Sequence, residues 1–112
     1  LRDIRLRPIK YEDIEKLRIW RNENRDAFFC NETISKEEQV KWFKRYLEYK
    51  NIRLFIIEYQ DKDIGCMGYQ PFGKFIELYN VILGDKEYEK QGLMSEALQL
   101  LLAKIDGKVL EE

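Results

Sequence analysis

The residues of this sequence best placed to do chemistry run Val81-Ile82-Leu83-Gly84-Asp85-Lys86-Glu87-Tyr88-Glu89-Lys90-Gln91-Gly92-Leu93-Met94-Ser95-Glu96-Ala97-Leu98. An apolar segment enters a polar loop, and the loop opens directly into a run with helical spacing. Backbone N–H groups at a helix start have no acceptor within the helix, and the helix dipole adds positive potential there. A diphosphate can rest on such a nest without any particular side chain. Gly92 would let the backbone approach closely, Ser95 offers a hydroxyl and Lys90 a cation. On that evidence alone an ordinary helix start fits as well, because many strand-loop-helix junctions carry a glycine. A second bound comes from composition: the chain has no histidine. Ser-His and Cys-His catalysis and histidine metal sites are thereby excluded, which leaves Glu, Asp, Tyr, Lys, Cys or water to move protons. Cys30 and Cys66 lie far apart with no metal-ligand spacing. They read as two reduced thiols of a cytoplasmic protein, and no metal is expected.

Several elements must position that loop. Ile4-Arg5-Leu6-Arg7 alternates apolar and basic residues and then meets Pro8, which suits a short first strand. Tyr11, Ile14 and Leu17 recur at helical spacing, predicting an amphipathic helix over 11–21. Ala27-Phe28-Phe29 belongs to a short second helical piece. Ser35 followed three residues later by Glu38 is a capping box, so a helix is predicted over 36–49. The period then changes. Residues 52–59 are rich in β-branched and aromatic side chains, with Leu54-Phe55-Ile56-Ile57 apolar on both faces, as in a strand buried on both sides. Residues 64–70 return as a hairpin partner after a turn at 60–63, and 75–83 forms the next strand. Leu98, Leu101, Leu102 and Ile105 mark a helix over 93–105 that is expected to stop at Asp106-Gly107. Residues 108–112 are expected to begin one more strand. The order predicts an α/β (α+β) fold with a mostly antiparallel sheet flanked by helices.

The 112 residues suffice for one core, not two. With 45% hydrophobic and 37% charged residues the balance is that of a globular domain. Twenty Lys and Arg against 21 Asp and Glu leave a net charge of −1, so no global field favours nucleic acid. No apolar run approaches the ~20 residues that cross a bilayer, so no membrane association is expected.

The loop, read as Gly-Asp-Lys-Glu-Tyr-x-x-x-Gly-Leu-Met-Ser-Glu-Ala-Leu, resembles the motif of GNAT acetyltransferases that holds the pyrophosphate of coenzyme A. Arg5-Leu6-Arg7-Pro8, Asp13, Trp20-Arg21-Asn22 and Ile34-Ser35-x-x-Glu38-Gln39-x-x-Trp42-Phe43 resemble the opening of the same fold. The resemblance covers residues 2 to about 105 and is nearest a subgroup of ribosomal-protein, polyamine and nucleotide-aminosugar N-acetyltransferases. It implies acetyl-CoA as co-substrate, bound by the backbone of Val81, Ile82 and Leu83 and by Glu89, Lys90, Gln91, Gly92, Leu93, Met94 and Ser95. It also implies an amine acceptor, a small molecule or a peptide, lined by Arg21, Asn22 and Phe28.

Two departures stand out. Glu89 occupies the position where the family has Arg or Gln, and Lys90 replaces the usual first glycine. The resemblance also implies a further strand, helix and hairpin, so 1–112 reads as a single, incomplete, C-terminally truncated domain. An incomplete sheet edge would favour self-association into a homo-oligomer. For catalysis, Glu77 is the candidate base, since strand alternation puts it on one face with Tyr79, Val81 and Leu83, and burial there would raise its pKa. A position facing water would leave it an ordinary surface carboxylate. Tyr79 is expected to orient a substrate. The function expected is acetyl transfer from acetyl-CoA to a primary amine by direct attack. The alternative is a non-catalytic module that binds coenzyme A weakly or not at all.

Overall fold

The computed structural model describes residues 3–27, 32–49 and 51–111, with side chains through 106. Phe28 therefore lies outside the described residues. Strand β1 (Ile4–Pro8) leads through a 3-10 turn (Tyr11–Asp13) into helix α1 (Ile14–Glu23). A second 3-10 turn (Arg25–Ala27) precedes helix α2 (Lys36–Glu48). Strands β2 (Arg53–Tyr59), β3 (Lys62–Phe72) and β4 (Phe75–Leu83) follow, then a 3-10 turn (Lys86–Tyr88) and helix α3 (Leu93–Glu111). All strands pair antiparallel in the order β1-β2-β3-β4.

The hairpins explain the register. Gln60 and Asp61 both adopt positive φ, 51° and 66°, which lets a two-residue turn follow the twist of β2 and β3. β3 consequently starts at Lys62 and pairs with Tyr59, two residues earlier than its apolar pattern indicated. β2 is buried on both faces, as its composition predicts. Leu54 and Ile56 join Ile14, Leu17, Trp20 and Phe43 in a core under α1 and α2. Phe55 and Ile57 join Ile64, Met67, Leu93, Ala97 and Leu101 in a second core under α3. The sheet thus separates two apolar layers, which is why three helices can dock on it.

The capping box at α2 forms in full: Ser35 Oγ accepts from the Glu38 N–H at 3.2 Å, and Glu38 Oε1 accepts from the Ser35 N–H at 3.2 Å. At the other end of the chain the expectation fails. α3 does not stop at Asp106-Gly107 but continues through Glu111, and residues 108–111 are helical rather than a strand. A glycine inside a helix costs about 1 kcal/mol. Extending an existing helix adds one hydrogen bond per residue and needs no partner strand, which outweighs that cost.

A network of charges ties β1 to α1. Arg7 grips Asp13 with two nitrogens, at 2.7 and 2.9 Å, and reaches Asp63 at 3.0 Å. Lys16 also bonds Asp63, at 2.9 Å, and the Lys10 N–H donates to Asp13 at 2.8 Å. Burial pushes the Asp13 carboxyl up, but the Arg7 hydrogen bond and the Lys10 N–H outweigh it and hold the group below its ordinary value. Asp13 is therefore an anchor for the start of α1, held charged by its partners.

Candidate active site

Strand β4 carries an irregularity that decides which side chains meet. Between Ile82 and Tyr79 the chain advances three residues, while their β3 partners, Cys66 and Gly68, are two apart. The extra residue is accommodated at a β-bulge, and Asn80 takes φ 46°, a left-handed conformation that asparagine tolerates better than most residues. Tyr79 and Ile82 consequently face the α1–α2 layer together, while Leu83 packs into the α3 layer. The expected alignment of Glu77, Tyr79, Val81 and Leu83 on one face is broken at this bulge.

Three side chains hold the bulge. Cys66 Sγ donates to the Asn80 carbonyl at 3.1 Å and accepts from the Ile82 N–H. Burial pushes its thiol up to about 12, with the Ile82 bond and the Arg21 charge pulling the other way, so it stays protonated. Arg21 Nη1 donates to Asn80 Oδ1 at 2.5 Å. The indole of Trp20 lies against Gly84, where a Cβ would fall 2.1 Å from the ring. Gly84 and Asp85 both donate to the Ile64 carbonyl, at 2.8 and 2.9 Å. The end of β4 and the start of the following loop are therefore fixed from both sides.

Beside the bulge is a cavity of about 260 Å³ lined by residues of α1, α2 and β4, among them Arg21, Glu38, Trp42, Arg45, Tyr79 and Asn80. Trp42 Nε1 donates to the Tyr79 hydroxyl oxygen at 3.0 Å. Burial raises the Tyr79 phenol above its ordinary value, against the Trp42 bond and the Arg21 charge, so the group is a neutral donor. Glu77 does not line this cavity. It is exposed and paired with Gln70 near the β3–β4 turn, so the burial expected for a base is missing. Asn22 uses its amide in two bonds to the Ile34 backbone, accepting at 2.7 Å and donating at 3.0 Å. It positions the segment ahead of α2, and Ile34 in turn lines the cavity.

The loop between β4 and α3 is open. Asp85 Oδ1 accepts from the Glu87 N–H at 3.1 Å, and Gln91 Nε2 donates to the Glu87 carbonyl at 3.2 Å. Lys90 and Gly92 have φ of 63° and 74°, turning the chain into α3, whose first bond runs from the Glu96 N–H to the Gly92 carbonyl. Glu89, Lys90, Gln91, Gly92 and Ser95 are exposed, Met94 is half-buried, and Leu93 is buried as the anchor of the helix. The Glu89 carboxylate lies 3.9 Å from Lys86 Nζ, which itself bonds Asn24. The ammonium offsets part of the carboxylate's charge beside the helix N-terminus. The turn is exposed and leads into a helix start, whose backbone N–H groups are the kind that can hold an anion. Beyond it, β4 has no strand on its outer side among the described residues, and Phe75, Ile76, Leu78 and Val81 are exposed.

The structure brings Arg21, Tyr79 and Asn80 to one cavity and Glu89 to Ser95 to one loop, with Ile82 and Leu83 leading into that loop. Sequence reading missed Glu38, Trp42 and Arg45 as cavity residues. Their spacing of four and three does mark one helical face, but that spacing does not say which element stands opposite it.

The family model for the acetyltransferase (GNAT) domain matches residues 3–109. No curated protein sequence matches the chain. Among solved structures, an N-acetyltransferase from Staphylococcus aureus Mu50 superposes with a TM-score of 0.75 at 20% identity, over 95% of this chain and 68% of that one. An acetyltransferase from Thermus thermophilus gives 0.74 at 18% identity, covering 93% and 70%. A ribosomal-protein-alanine N-acetyltransferase from Brucella melitensis gives 0.74 at 16%, covering 93% and 68%. At these identities the likeness is one of fold. No helix among the described residues is long and apolar enough to cross a membrane.

Proposed function

The chain belongs to the GNAT acetyltransferase family, and we propose that it transfers the acetyl group of acetyl-CoA to a primary amine by direct attack. The observation that carries this reading is the adjacency of two features on β4. The strand ends in an exposed loop with a helix N-terminus suited to a diphosphate, and its bulge opens onto a polar cavity suited to a small acceptor. The thioester carbonyl would lie along the outer side of β4, where alternate residues of an edge strand turn N–H and C=O groups outward. The Ile82 N–H is already engaged with Cys66, so Val81 and Leu83 are the better candidates to donate to the carbonyl oxygen as negative charge develops on it.

The residues of the chain would divide the work as follows. Gly92, Leu93, Met94 and Ser95 hold the diphosphate through backbone N–H groups, with the Ser95 hydroxyl and Lys90 beside them. Lys86 keeps Glu89 clear of it. The Tyr79 hydroxyl, fixed by Trp42, donates to the acceptor and orients its amine. The amine nitrogen would form its bond to the carbonyl carbon while the C–S bond breaks with its electron pair on sulfur. The amine proton leaves to water at the open mouth of the cavity, and the departing coenzyme A thiolate takes a proton from water. Glu77, exposed on β4, would take the amine's proton from water rather than by direct contact.

The test is turnover. Incubating the protein with acetyl-CoA and a panel of amines should yield free coenzyme A and acetylated amine in equal amounts, with no acetyl group left on the protein by mass spectrometry. Saturable acetyl-CoA binding without any acetylated amine would instead support the non-catalytic reading.

A further inference from the structure

We propose that the cavity between α1, α2 and β4 takes an amine that also carries an anionic group, a carboxylate or a phosphate, held by Arg21 and Arg45. The assignment deepens the amine-acetylation reading and rests on it. Arg21 and Arg45 come from different helices and line the same space of about 260 Å³. Glu38 is the one carboxylate among the described residues of that lining, so they carry one net positive charge. Glu38 is also held in place, because its Oε1 accepts the Ser35 N–H. Arg21 is fixed through Nη1 on the Asn80 side chain, and its charge reaches both the Tyr79 hydroxyl and the Cys66 thiol. Arg45 has no ion-pair partner among the described residues. The planar fork of a guanidinium matches the two oxygens of a carboxylate or phosphate. Tyr79 completes the set: its oxygen accepts from Trp42, and its own O–H can donate to an anionic group. An acceptor with several positive charges would meet two like charges at this opening. The preference is local, since the chain as a whole is nearly neutral.

The experiment uses the full chain without acetyl-CoA, titrated calorimetrically with O-phosphoethanolamine, β-alanine, ethanolamine and cadaverine. At least one anionic probe should bind about ten-fold or more tighter than ethanolamine, the scale of one charge-assisted hydrogen bond. Whichever anionic probe binds tighter identifies phosphate or carboxylate as the group read. Arg45→Gln should shrink that gap to about two-fold or less while acetyl-CoA binding, measured separately, stays unchanged. Ethanolamine or cadaverine binding as tightly as both anionic probes would overturn the proposal, as would no binding of any probe or a gap that Arg45→Gln leaves intact. Anion selectivity together with absent acetyl-CoA binding would instead count against the acetyltransfer reading and leave this assignment of the cavity standing.

Discussion

A methyl group added at Gly84 is the sharpest local test of how α1 fixes the loop. The Cβ of Gly84→Ala would lie 2.1, 2.3 and 2.4 Å from three atoms of the Trp20 indole. Carbon atoms in contact normally stand ~3.5–4.0 Å apart, so either the indole or the backbone must move by more than about 1 Å. Trp20 is buried against Ile14, Leu17, Ile56 and Ile82, which leaves the ring little room to retreat. Overpacking of this kind typically costs ~1–3 kcal/mol. At roughly 4–8 °C per kcal/mol for a domain near this size, the melting temperature should fall by about 4–24 °C. Backbone movement would also strain the two N–H bonds from Gly84 and Asp85 to the Ile64 carbonyl, which set the loop's departure from β4. Differential scanning calorimetry gives the first number, and acetyl-CoA titration at a temperature where the variant is folded gives the second. Affinity should fall together with stability. An unchanged melting temperature would refute the packing argument, and a destabilised variant with unchanged affinity would refute the link from α1 to the loop.

Other consequences concern single groups. Asp13 has a folded-state pKa below its ordinary value, so its contribution to stability is complete above about pH 4 and is lost as pH falls through the folded value. Asp13→Asn should therefore lower stability at neutral pH and flatten the acid limb of the stability–pH curve, read from urea melts between about pH 2 and 7. A parallel downward shift at every pH would contradict this. In a Cys30→Ser background, the buried Cys66 thiol, with its pKa pushed up to about 12, should resist DTNB at about pH 8 until the protein unfolds. Rapid labelling of the native protein would show the site to be open. Tyr79→Phe strips the acceptor from the Trp42 indole N–H and should cost ~1–3 kcal/mol in stability. It should also lower kcat with little change in acetyl-CoA affinity; a loss of acetyl-CoA affinity instead would move Tyr79 to the wrong half of the site.

The layered fold was readable because its signals are local. The Ser35–Glu38 box, the apolar run 54–57 and the helical spacing before Ile105 each announce one element, and the sheet order follows from short connections. What escaped depends on contacts between elements. Nothing in an alternating strand announces that Asn80 will insert a bulge, yet that residue decides which neighbours share a face with Tyr79. The one available hint was an asparagine in an apolar strand. Likewise, helical spacing groups Glu38, Trp42 and Arg45 on one face of α2 without revealing that β4 stands opposite. Glu77 shows the same limit from the other side, since strand alternation groups it with Tyr79 but says nothing of its exposure. Gly107, a stop signal in isolation, is overridden by the helix already running through it.

The central claim is that the exposed turn at Gly92 and the first residues of α3 hold acetyl-CoA. Its most direct test is calorimetric titration with acetyl-CoA of the protein and of Gly92→Trp, each first shown to be folded by its thermal transition. The account predicts saturable binding by the parent chain that the variant loses, because a bulky side chain at φ 74° would cover the N–H groups that meet the diphosphate. Equal affinity in both proteins, or no binding by the folded parent, would contradict it.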